Sequence, residues 1–261
     1  MEWREADGLR WLEADLGGAR VAFTTRLGGV SARPFDSLNL GLLTDDDPGA
    51  VIANRRRLAA TLGFPPERIA IALQVHGAEL ITHLSPGPPL DRSLAALGAD
   101  QAQRSATGEG LPEADGHVVT EPGMAALVFV ADCLPVALFG PRGVAMLHCG
   151  WRGLAAGIIA AGAEAIGATD AAIGPGIGPC CYEVGEEVLT AFAGRGDGIA
   201  KRRMLDLTEI ARQLLGEAGV ERVESAGLCT SCEEELLFSH RRDDGRTGRQ
   251  AGIAWIEPER G

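Results

Sequence analysis

The sequence lacks any run of about 18 or more apolar residues, the length that a membrane-spanning helix requires. Residues 1–5 are too acidic and polar for a secretory signal peptide. No internal repeat of the kind that builds solenoids is present. These absences argue against a membrane protein and a repeat fold, and they favour a cytoplasmic protein.

Basic residues are scarce relative to acidic ones. Lys and Arg together number 24, Asp and Glu together number 36, and the net charge is −12. So acidic a chain repels both the phosphate backbone of nucleic acids and an anionic membrane surface. We therefore expect a small-molecule ligand, with neither nucleic acid nor membrane as partner. The sequence leaves the oligomeric state open.

The apolar pattern predicts an α+β fold. With 261 residues, 46% of them hydrophobic, the chain can bury one substantial core, and we expect a single domain over residues 1–261. Apolar periodicity predicts strands at 21–24, 69–73, 80–83, 118–120, 124–130, 134–139, 144–147, 171–173, 222–226 and 253–256. Helices are predicted at 48–63, 154–166, 186–192 and 207–218. Because strands and helices do not alternate strictly, mixed β-sheets flanked by helices are expected. Residues 85–113, rich in proline, glycine and small side chains, are predicted to form a long surface excursion.

The six cysteines are expected to be mostly free thiols. A chain with its own core and no export signal rarely needs disulfides. Cys229 and Cys232 have the spacing of a redox motif or of half a zinc site, and the adjacent Cys180 and Cys181 could complete a second metal site. Adjacent cysteines are awkward ligands for one tetrahedral ion, and a lone CxxC is weak evidence. We therefore expect these four residues to have packing roles.

Three segments combine a zinc-ligand residue with neighbours that break regular structure. They are Gln74-Val75-His76-Gly77, Ala131-Asp132-Cys133-Leu134-Pro135 and Leu147-His148-Cys149-Gly150-Trp151-Arg152-Gly153. Each follows or ends an apolar strand, and ligands from strand ends can converge on one point. Two histidines and a cysteine leave the fourth tetrahedral position of zinc open, as in catalytic sites. Spacing alone does not distinguish such a site from packing or loop-capping residues.

The same segments, in the same order, resemble the YfiH family, also called the laccase-domain family. The resemblance runs nearly end to end, with His240 where tyrosine is usual. Besides the three central segments, it rests on residues 23–31, 37–41 and 54–55 near the start and on residues 227–232, 238–243 and 247–250 near the end.

The resemblance implies a zinc enzyme. In such an enzyme His76, Cys133 and His148 bind the metal, and the substrates are a nucleoside and phosphate. Activities reported for the family are phosphorolysis of adenosine, inosine and methylthioadenosine, and deamination of adenosine. A three-ligand zinc can lower the pKa of bound water from about 15.7 to about 7, which suits deamination. Older labels call these proteins polyphenol oxidases, but five histidines and four methionines offer few ligands for a multicopper set, so copper is less favoured than zinc.

Four further residues are candidates for the site. Arg26 and Arg152 lie in glycine-containing loops. Either could bind phosphate, since arginine is suited to bidentate phosphate contacts. Either could equally be solvated or form a structural ion pair. Asp132 could act as a general acid or base, although support of a ligand or of its own loop is the favoured role. Asn39 is a weaker candidate for contact with substrate, because asparagine in such a turn commonly bonds to its own backbone.

Two other classes of function stay open. Cys133 could be a nucleophile, with His148 or His76 as its base, in an amidase that edits a cell-wall peptide precursor. The chain could also be a metal- or nucleotide-binding module without turnover, which a ligand would stabilise without product formation.

Overall fold

The computed structural model describes residues 1–83 and 111–257, and these contain two six-stranded sheets and five α-helices. The first sheet contains β1 (Glu2–Ala6), β2 (Leu9–Asp15), β3 (Ala19–Thr24), β4 (Ile69–Ala70), β7 (Ala125–Val130) and β14 (Gln250–Ile256). The second contains β5 (Leu80–His83), β6 (Gly116–Val119), β8 (Leu134–Gly140), β9 (Gly143–Cys149), β10 (Asp170–Ile173) and β13 (Arg222–Ser225). A small ribbon pairs β11 (Ala200–Lys201) with β12 (Met204–Leu205). The helices are α1 (Pro48–Leu62), α2 (Trp151–Ala155), α3 (Ile158–Ile166), α4 (Glu186–Ala191) and α5 (Leu207–Glu217).

Both large sheets are mixed, so the predicted α+β class is confirmed. The first has the order β1-β2-β3-β14-β7-β4, and only the β4–β7 pair is parallel. The second has the order β13-β10-β8-β9-β6-β5, with parallel pairs at both edges, β10–β13 and β5–β6.

The two sheets pack face to face, and helices cover their outer faces. Phe23 and Val128 of the first sheet share a buried cluster with Val144 and Met146 of the second. On the other side of the second sheet, α3 packs against β8 and β9, and α5 packs against α3. Helix α1 packs against the outer face of the first sheet through Leu58 and Ala59. In the described part of the chain, no helix is long and apolar enough to cross a bilayer.

Local sequence signals explain most helix boundaries. The side chain of Asp47 accepts hydrogen bonds from two backbone amides at the start of α1, Pro48 is its first residue, and Gly63 ends it with a φ of 77°. The single helix predicted over 154–166 is wrong: α2 begins at Trp151, and Gly157, with a φ of 89°, separates it from α3. Of the predicted excursion at 85–113, residues 85–110 lie outside the described residues.

Candidate metal centre and pocket

His76, Cys133 and His148 converge where the chain passes between the two sheets. Their ligand atoms all lie within 4.8 Å of one another. Cys133 lies between β7 of the first sheet and β8 of the second, and His76 lies between β4 and β5, which also belong to different sheets. His148 is on β9, in register with Pro135 of β8. The three side chains are therefore brought together by two connections that run from one sheet to the other and by one strand of the second sheet.

The buried carboxylate of Asp115 organises two of these residues. Its Oδ1 lies 2.7 Å from Nδ1 of His148 and accepts the backbone N–H of His76 at 2.9 Å. Its Oδ2 accepts the backbone N–H groups of Val75 and Gly77 at 3.1 and 2.6 Å. These bonds hold the 75–77 loop in a conformation in which His76 has a φ of 62°. Because Nδ1 of His148 contacts Asp115, Nε2 is the ring nitrogen that remains available to bind a metal.

The electrostatics favour a charged pair. Burial opposes the negative charge of Asp115, but its hydrogen bonds from His148 and Gly77 outweigh this and lower its pKa. Burial also opposes the positive charge of His148, yet the negative charges of Cys133 and Asp115 and the hydrogen bonds to them raise its pKa to about 9. Burial would raise the pKa of Cys133, but the charge and hydrogen bonds of His148 and His76 lower it to about 6. Both shifts favour the thiolate form of Cys133 beside the imidazolium form of His148.

Gly150 leaves room for the ligands. A Cβ at this position would lie 3.0 Å from Sγ of Cys133 and 3.5 Å from Cδ2 of His76. Its φ of −78° is ordinary, so the space, not the backbone conformation, requires glycine here.

The donor set fits a tetrahedral transition metal. Zinc bound by two imidazoles and a thiolate holds its ligand atoms about 3.4 to 3.6 Å apart, which is within the observed spacing. A cysteine with a lowered pKa and a histidine oriented by a carboxylate are also what such a site needs. Two histidines and one cysteine would leave one position of a tetrahedral metal open.

A pocket of about 500 Å³ is lined by all three of these residues. Its volume suits a ligand of nucleoside size. Against the chain's net charge of −12, its described lining carries one carboxylate, Asp132, and four arginines: Arg55, Arg152, Arg241 and Arg249. The aromatic side chains of Phe129, Trp151 and Tyr182 also line it. The cavity therefore combines cationic groups for an anion with apolar faces for a planar ring.

Of the further residues predicted for the site, two line this pocket and two do not. Arg152 lines it, with its guanidinium 4.5 Å from the ring centre of Trp151. Asp132 lines it too, but its carboxylate accepts hydrogen bonds from Thr230 Oγ1 at 2.6 Å and the backbone N–H of Arg241 at 2.7 Å. Asp115, not Asp132, contacts the imidazole of His148.

Arg26 and Asn39 are held outside the described pocket lining. The guanidinium of Arg26 donates to the backbone oxygens of Asp36 and Glu234 and lies over the ring of Phe238. The buried amide of Asn39 accepts from the backbone N–H groups of Gly41 and Arg249 and donates to neighbouring side chains. Contact of either residue with substrate stays a prediction, and in this structure both side chains brace loops.

The sequence reasoning missed two residues at the site. Asp115 precedes β6 in the run Ala114-Asp115-Gly116, and an acidic residue between small ones at the start of a buried strand was the available signal. Arg55 falls within the Asn54-Arg55 motif but was not singled out. It is only 3% exposed on α1, and its Nη1 has no hydrogen-bond partner among the described residues.

The structure also groups Cys180, Cys181, Cys229 and Cys232, whose sulfur atoms lie within 4.8 Å of one another. Cys180 and Cys232 are exposed, so the expectation of packing roles is wrong for these two. That expectation rested on adjacent cysteines being awkward ligands for one tetrahedral ion and on a lone CxxC being weak evidence, whereas the fold brings both pairs together.

Comparison with known proteins gives a consistent result. Residues 20–257 match the family described as multi-copper polyphenol oxidoreductase laccase. A purine nucleoside phosphorylase of Pseudomonas aeruginosa is 38% identical over 91% of this chain and 93% of its own length. The purine nucleoside phosphorylase YlmD of Geobacillus stearothermophilus is 39% identical over 94% of this chain and 93% of its own.

Solved structures extend the similarity to the fold. The crystal structure of YlmD from Geobacillus stearothermophilus superposes with a TM-score of 0.81 at 36% identity, covering 98% of each chain. That of the Bacillus licheniformis hypothetical protein YfiH gives 0.80 at 30% identity, covering 98% of this chain and 99% of the other. With the sequence match spanning almost the whole chain, the protein belongs to the YfiH/laccase-domain family.

Proposed function

We propose that the protein is a zinc-dependent purine nucleoside phosphorylase that converts adenosine, inosine or methylthioadenosine and phosphate to the free base and the sugar 1-phosphate. The observation that carries the proposal is the arginine-lined pocket beside His76, Cys133 and His148 in an otherwise acidic protein. Relatives that match this chain over at least 91% of its length and that bear the name purine nucleoside phosphorylase support it.

His76, Cys133 and His148 would hold the zinc, and Asp115 would keep His148 in the tautomer that presents Nε2. Zinc bound there would supply a Lewis acid that polarises an oxygen of the substrate or of water. The remaining steps depend on the chain's own side chains.

Binding of phosphate is assigned to the arginines. Arg55 presents a buried Nη1 without a partner among the described residues, and Arg249 lines the same cavity. Burial lowers the pKa of Arg55 to about 9, so it is still charged at neutral pH. An arginine with unused donors in a shielded cavity binds phosphate more strongly than an exposed one.

The reaction exchanges one bond at the sugar for another. A phosphate oxygen forms a bond to C1′ of the ribose, the C1′–N9 bond breaks, and its electron pair leaves with the purine, which takes up a proton. Trp151 and Tyr182 offer aromatic faces for the purine, and Arg152 is placed beside them to stabilise its developing negative charge. Deamination of adenosine to inosine and ammonia is proposed as a side activity of the same pocket.

The test is to incubate purified, zinc-loaded protein with adenosine in the presence and absence of phosphate. We expect adenine and ribose 1-phosphate only when phosphate is present, with ribose 1-phosphate equal to the sum of adenine and any hypoxanthine formed from inosine, and inosine in both cases. His76→Ala should abolish product formation, while His83→Ala, which changes a histidine outside the described pocket lining, serves as the matched control. Zinc-loaded protein that forms no adenine from adenosine and phosphate would refute the proposal.

The thiolate and imidazolium character of Cys133 and His148 favours one second candidate, a Cys/His amidase that edits a cell-wall peptide precursor. Metal analysis separates the two. Loss of about one equivalent of zinc, relative to wild type, in Cys133→Ala and in His76→Ala supports the metal enzyme. Full activity on a peptide amide after removal of zinc supports the amidase.

A further inference from the structure

The fold brings two distant pairs of cysteines to one place. Strands β10 and β13 are parallel neighbours, so the loops that follow them leave the same edge of the second sheet. A bridge between Gly176 and Cys229 joins these loops, and the backbone N–H of Thr230 donates to the oxygen of Gly176 at 3.0 Å. Cys180 and Cys181 lie on the first loop, and Cys229 and Cys232 lie on the second.

The spacing of the sulfur atoms matches a tetrahedral tetrathiolate site. Sγ of Cys232 lies 3.5 Å from Sγ of Cys180 and 3.5 Å from Sγ of Cys181, and all four sulfurs lie within 4.8 Å of one another. Four thiolates around one zinc ion lie about 3.8 Å apart, since each Zn–S bond is about 2.3 Å long. The separations exceed the S–S bond length of about 2.05 Å, and all four residues are free thiols.

Each loop forms a tight turn that directs its cysteines. The backbone N–H groups of Cys181 and Tyr182 both donate to the oxygen of Gly178. On the second loop, the backbone N–H of Cys232 donates to the oxygen of Cys229 at 3.1 Å. The sulfur of Cys229 accepts the backbone N–H of Gly178 at 3.2 Å, a bond that stabilises negative charge on sulfur.

The surface next to Cys180 carries more cations than anions. Cys180 lines a groove that also contains Lys201, Arg202 and Asp206. Four thiolates and one divalent ion carry a net charge of −2, so nearby cations lower the cost of assembling the site. Thiolate ligands in tetrahedral array select soft or borderline metals over magnesium or calcium.

We propose that Cys180, Cys181, Cys229 and Cys232 bind a second, structural zinc ion. On binding, the thiols release their protons and form four Zn–S bonds, with no change of oxidation state. With all four ligands from the protein, this site is closed, unlike the one formed by His76, Cys133 and His148.

The second zinc would fix one wall of the pocket. Tyr182 follows Cys181 directly and lines the cavity. Thr230, between Cys229 and Cys232, donates to the carboxylate of Asp132, which precedes Cys133. The backbone N–H of Ile177 donates to the oxygen of Asp132 at 2.8 Å. Clamping the two cysteine loops together therefore positions the turn that carries Cys133.

The experiment counts zinc in the full-length chain purified under reducing conditions, and it compares wild type, Cys133→Ala, and the double variant Cys229→Ser/Cys232→Ser. We expect about two equivalents in wild type and about one in each variant. Cys149→Ala, which removes a buried cysteine outside both clusters, should leave the count unchanged. If only the four-cysteine site binds zinc, wild type and Cys133→Ala should each hold about one equivalent and the double variant none. If only the site at His76, Cys133 and His148 binds zinc, wild type and the double variant should each hold about one equivalent and Cys133→Ala none.

Cobalt gives a second measurement that does not need the double variant to fold. Metal-free Cys133→Ala protein loaded with cobalt should show the thiolate-to-cobalt charge-transfer absorption of a tetrahedral four-sulfur site. Cys180→Ser should weaken and shift it. An unchanged zinc count in the double variant, or a cobalt spectrum of Cys133→Ala without sulfur ligation, would overturn the proposal. So would disulfides among the four cysteines, with no metal bound, in protein isolated anaerobically.

Discussion

Asp115 and His148 form the contact on which the proposed zinc site depends, because Oδ1 of the carboxylate lies 2.7 Å from Nδ1 of the imidazole. The same oxygen accepts the backbone N–H of His76 at 2.9 Å. One buried carboxylate therefore fixes the ring of one ligand and the backbone of another. Loss of this group should disturb both histidines at once.

Asp115→Asn tests this role with almost no change in volume. One of the two carboxylate oxygens becomes an NH₂ group, which must then face donors: either His148 and His76, or the amides of Val75 and Gly77. We expect zinc affinity to fall by about 10- to 100-fold. Competition with a chelator of known affinity measures the change.

Asp170→Asn is the matched control, because Asp170 is also a buried carboxylate but pairs with Arg222 on the far edge of the second sheet. It should lose stability without losing zinc affinity. Equal zinc affinity in Asp115→Asn and wild type would contradict the role given to Asp115.

Gly150→Ala should disturb the proposed zinc site sterically. The new Cβ would stand 3.0 Å from Sγ of Cys133, tighter than ordinary van der Waals contact. We expect weaker zinc binding and at least a tenfold loss of kcat, with circular dichroism unchanged. Gly216→Ala on α5 is the control, since no atom of the described residues lies within 4 Å of a Cβ there. Normal activity in Gly150→Ala would show that Cys133 can move without consequence.

Much of the fold was readable from sequence because its signals are local. The N-cap Asp47, Pro48 and Gly63 bound α1 as predicted, and most strands lie within a few residues of the predicted ranges. The exposed strand β1 and its partner β2 were missed. Their first residues mix charged and apolar side chains, which hides the strand pattern. The two segments are strands because β1 pairs with β2 and β2 pairs with β3.

The site was readable only in part, because its geometry is non-local. The proposed ligand set came from motifs that resemble a known family. Asp115, in contrast, acts on His148, which lies 33 residues further along the sequence and is in contact with it only in the folded chain. Similarly, the four-cysteine cluster joins positions 51 and 52 residues apart. Neither relationship follows from local spacing, because each depends on which strands pair.

The reactivity of Cys133 in metal-free protein should depend on His148. Because the thiol pKa is lowered to about 6, thiolate is present above that pH, and alkylation by iodoacetamide should rise through about pH 6. In His148→Gln the onset should move toward the ordinary thiol pKa of about 8.5. Peptide mapping separates Cys133 from the other cysteines. An unchanged onset in His148→Gln would contradict the ion pair.

The same pair should shape stability against pH. The lowered pKa of Cys133 adds stability that is lost as pH falls through about 6, and the raised pKa of His148 adds stability that is lost as pH rises through about 9. Metal-free protein should therefore melt at its highest temperature between these values. Cys133→Ala should flatten this profile.

Asp132→Asn distinguishes a catalytic role from a positioning one. Asp132 has a φ of 93°, which asparagine also tolerates, and its carboxylate is bound by Thr230 and by the backbone of Arg241. We expect a lower kcat with an unchanged pH profile. Thr230→Val, which removes the same hydrogen bond from the other side, should reproduce the effect. A lost limb of the pH profile in Asp132→Asn alone would instead identify it as a general acid or base.

Arg55→Lys should weaken phosphate binding specifically. The Nε of Arg55 is held by the backbone oxygen of Leu40, and its guanidinium lies 4.2 Å from the ring centre of Phe129, so Nη1 stays directed and unpaired among the described residues. Lysine keeps the charge but has neither the planar fork nor the fixed direction. We expect the KM for phosphate to rise about tenfold, equivalent to about 1.4 kcal/mol, with little change in the KM for nucleoside.

Arg212→Lys on the exposed face of α5 makes the same chemical change away from the pocket and should alter neither KM. A melting curve of Arg55→Lys separates lost binding from lost folding, because a binding effect persists at temperatures where both proteins are fully folded. If the KM for nucleoside rose while that for phosphate did not, Arg55 would lie at the purine end of the cavity. Phosphate would then have to be bound by Arg152, Arg241 or Arg249 instead.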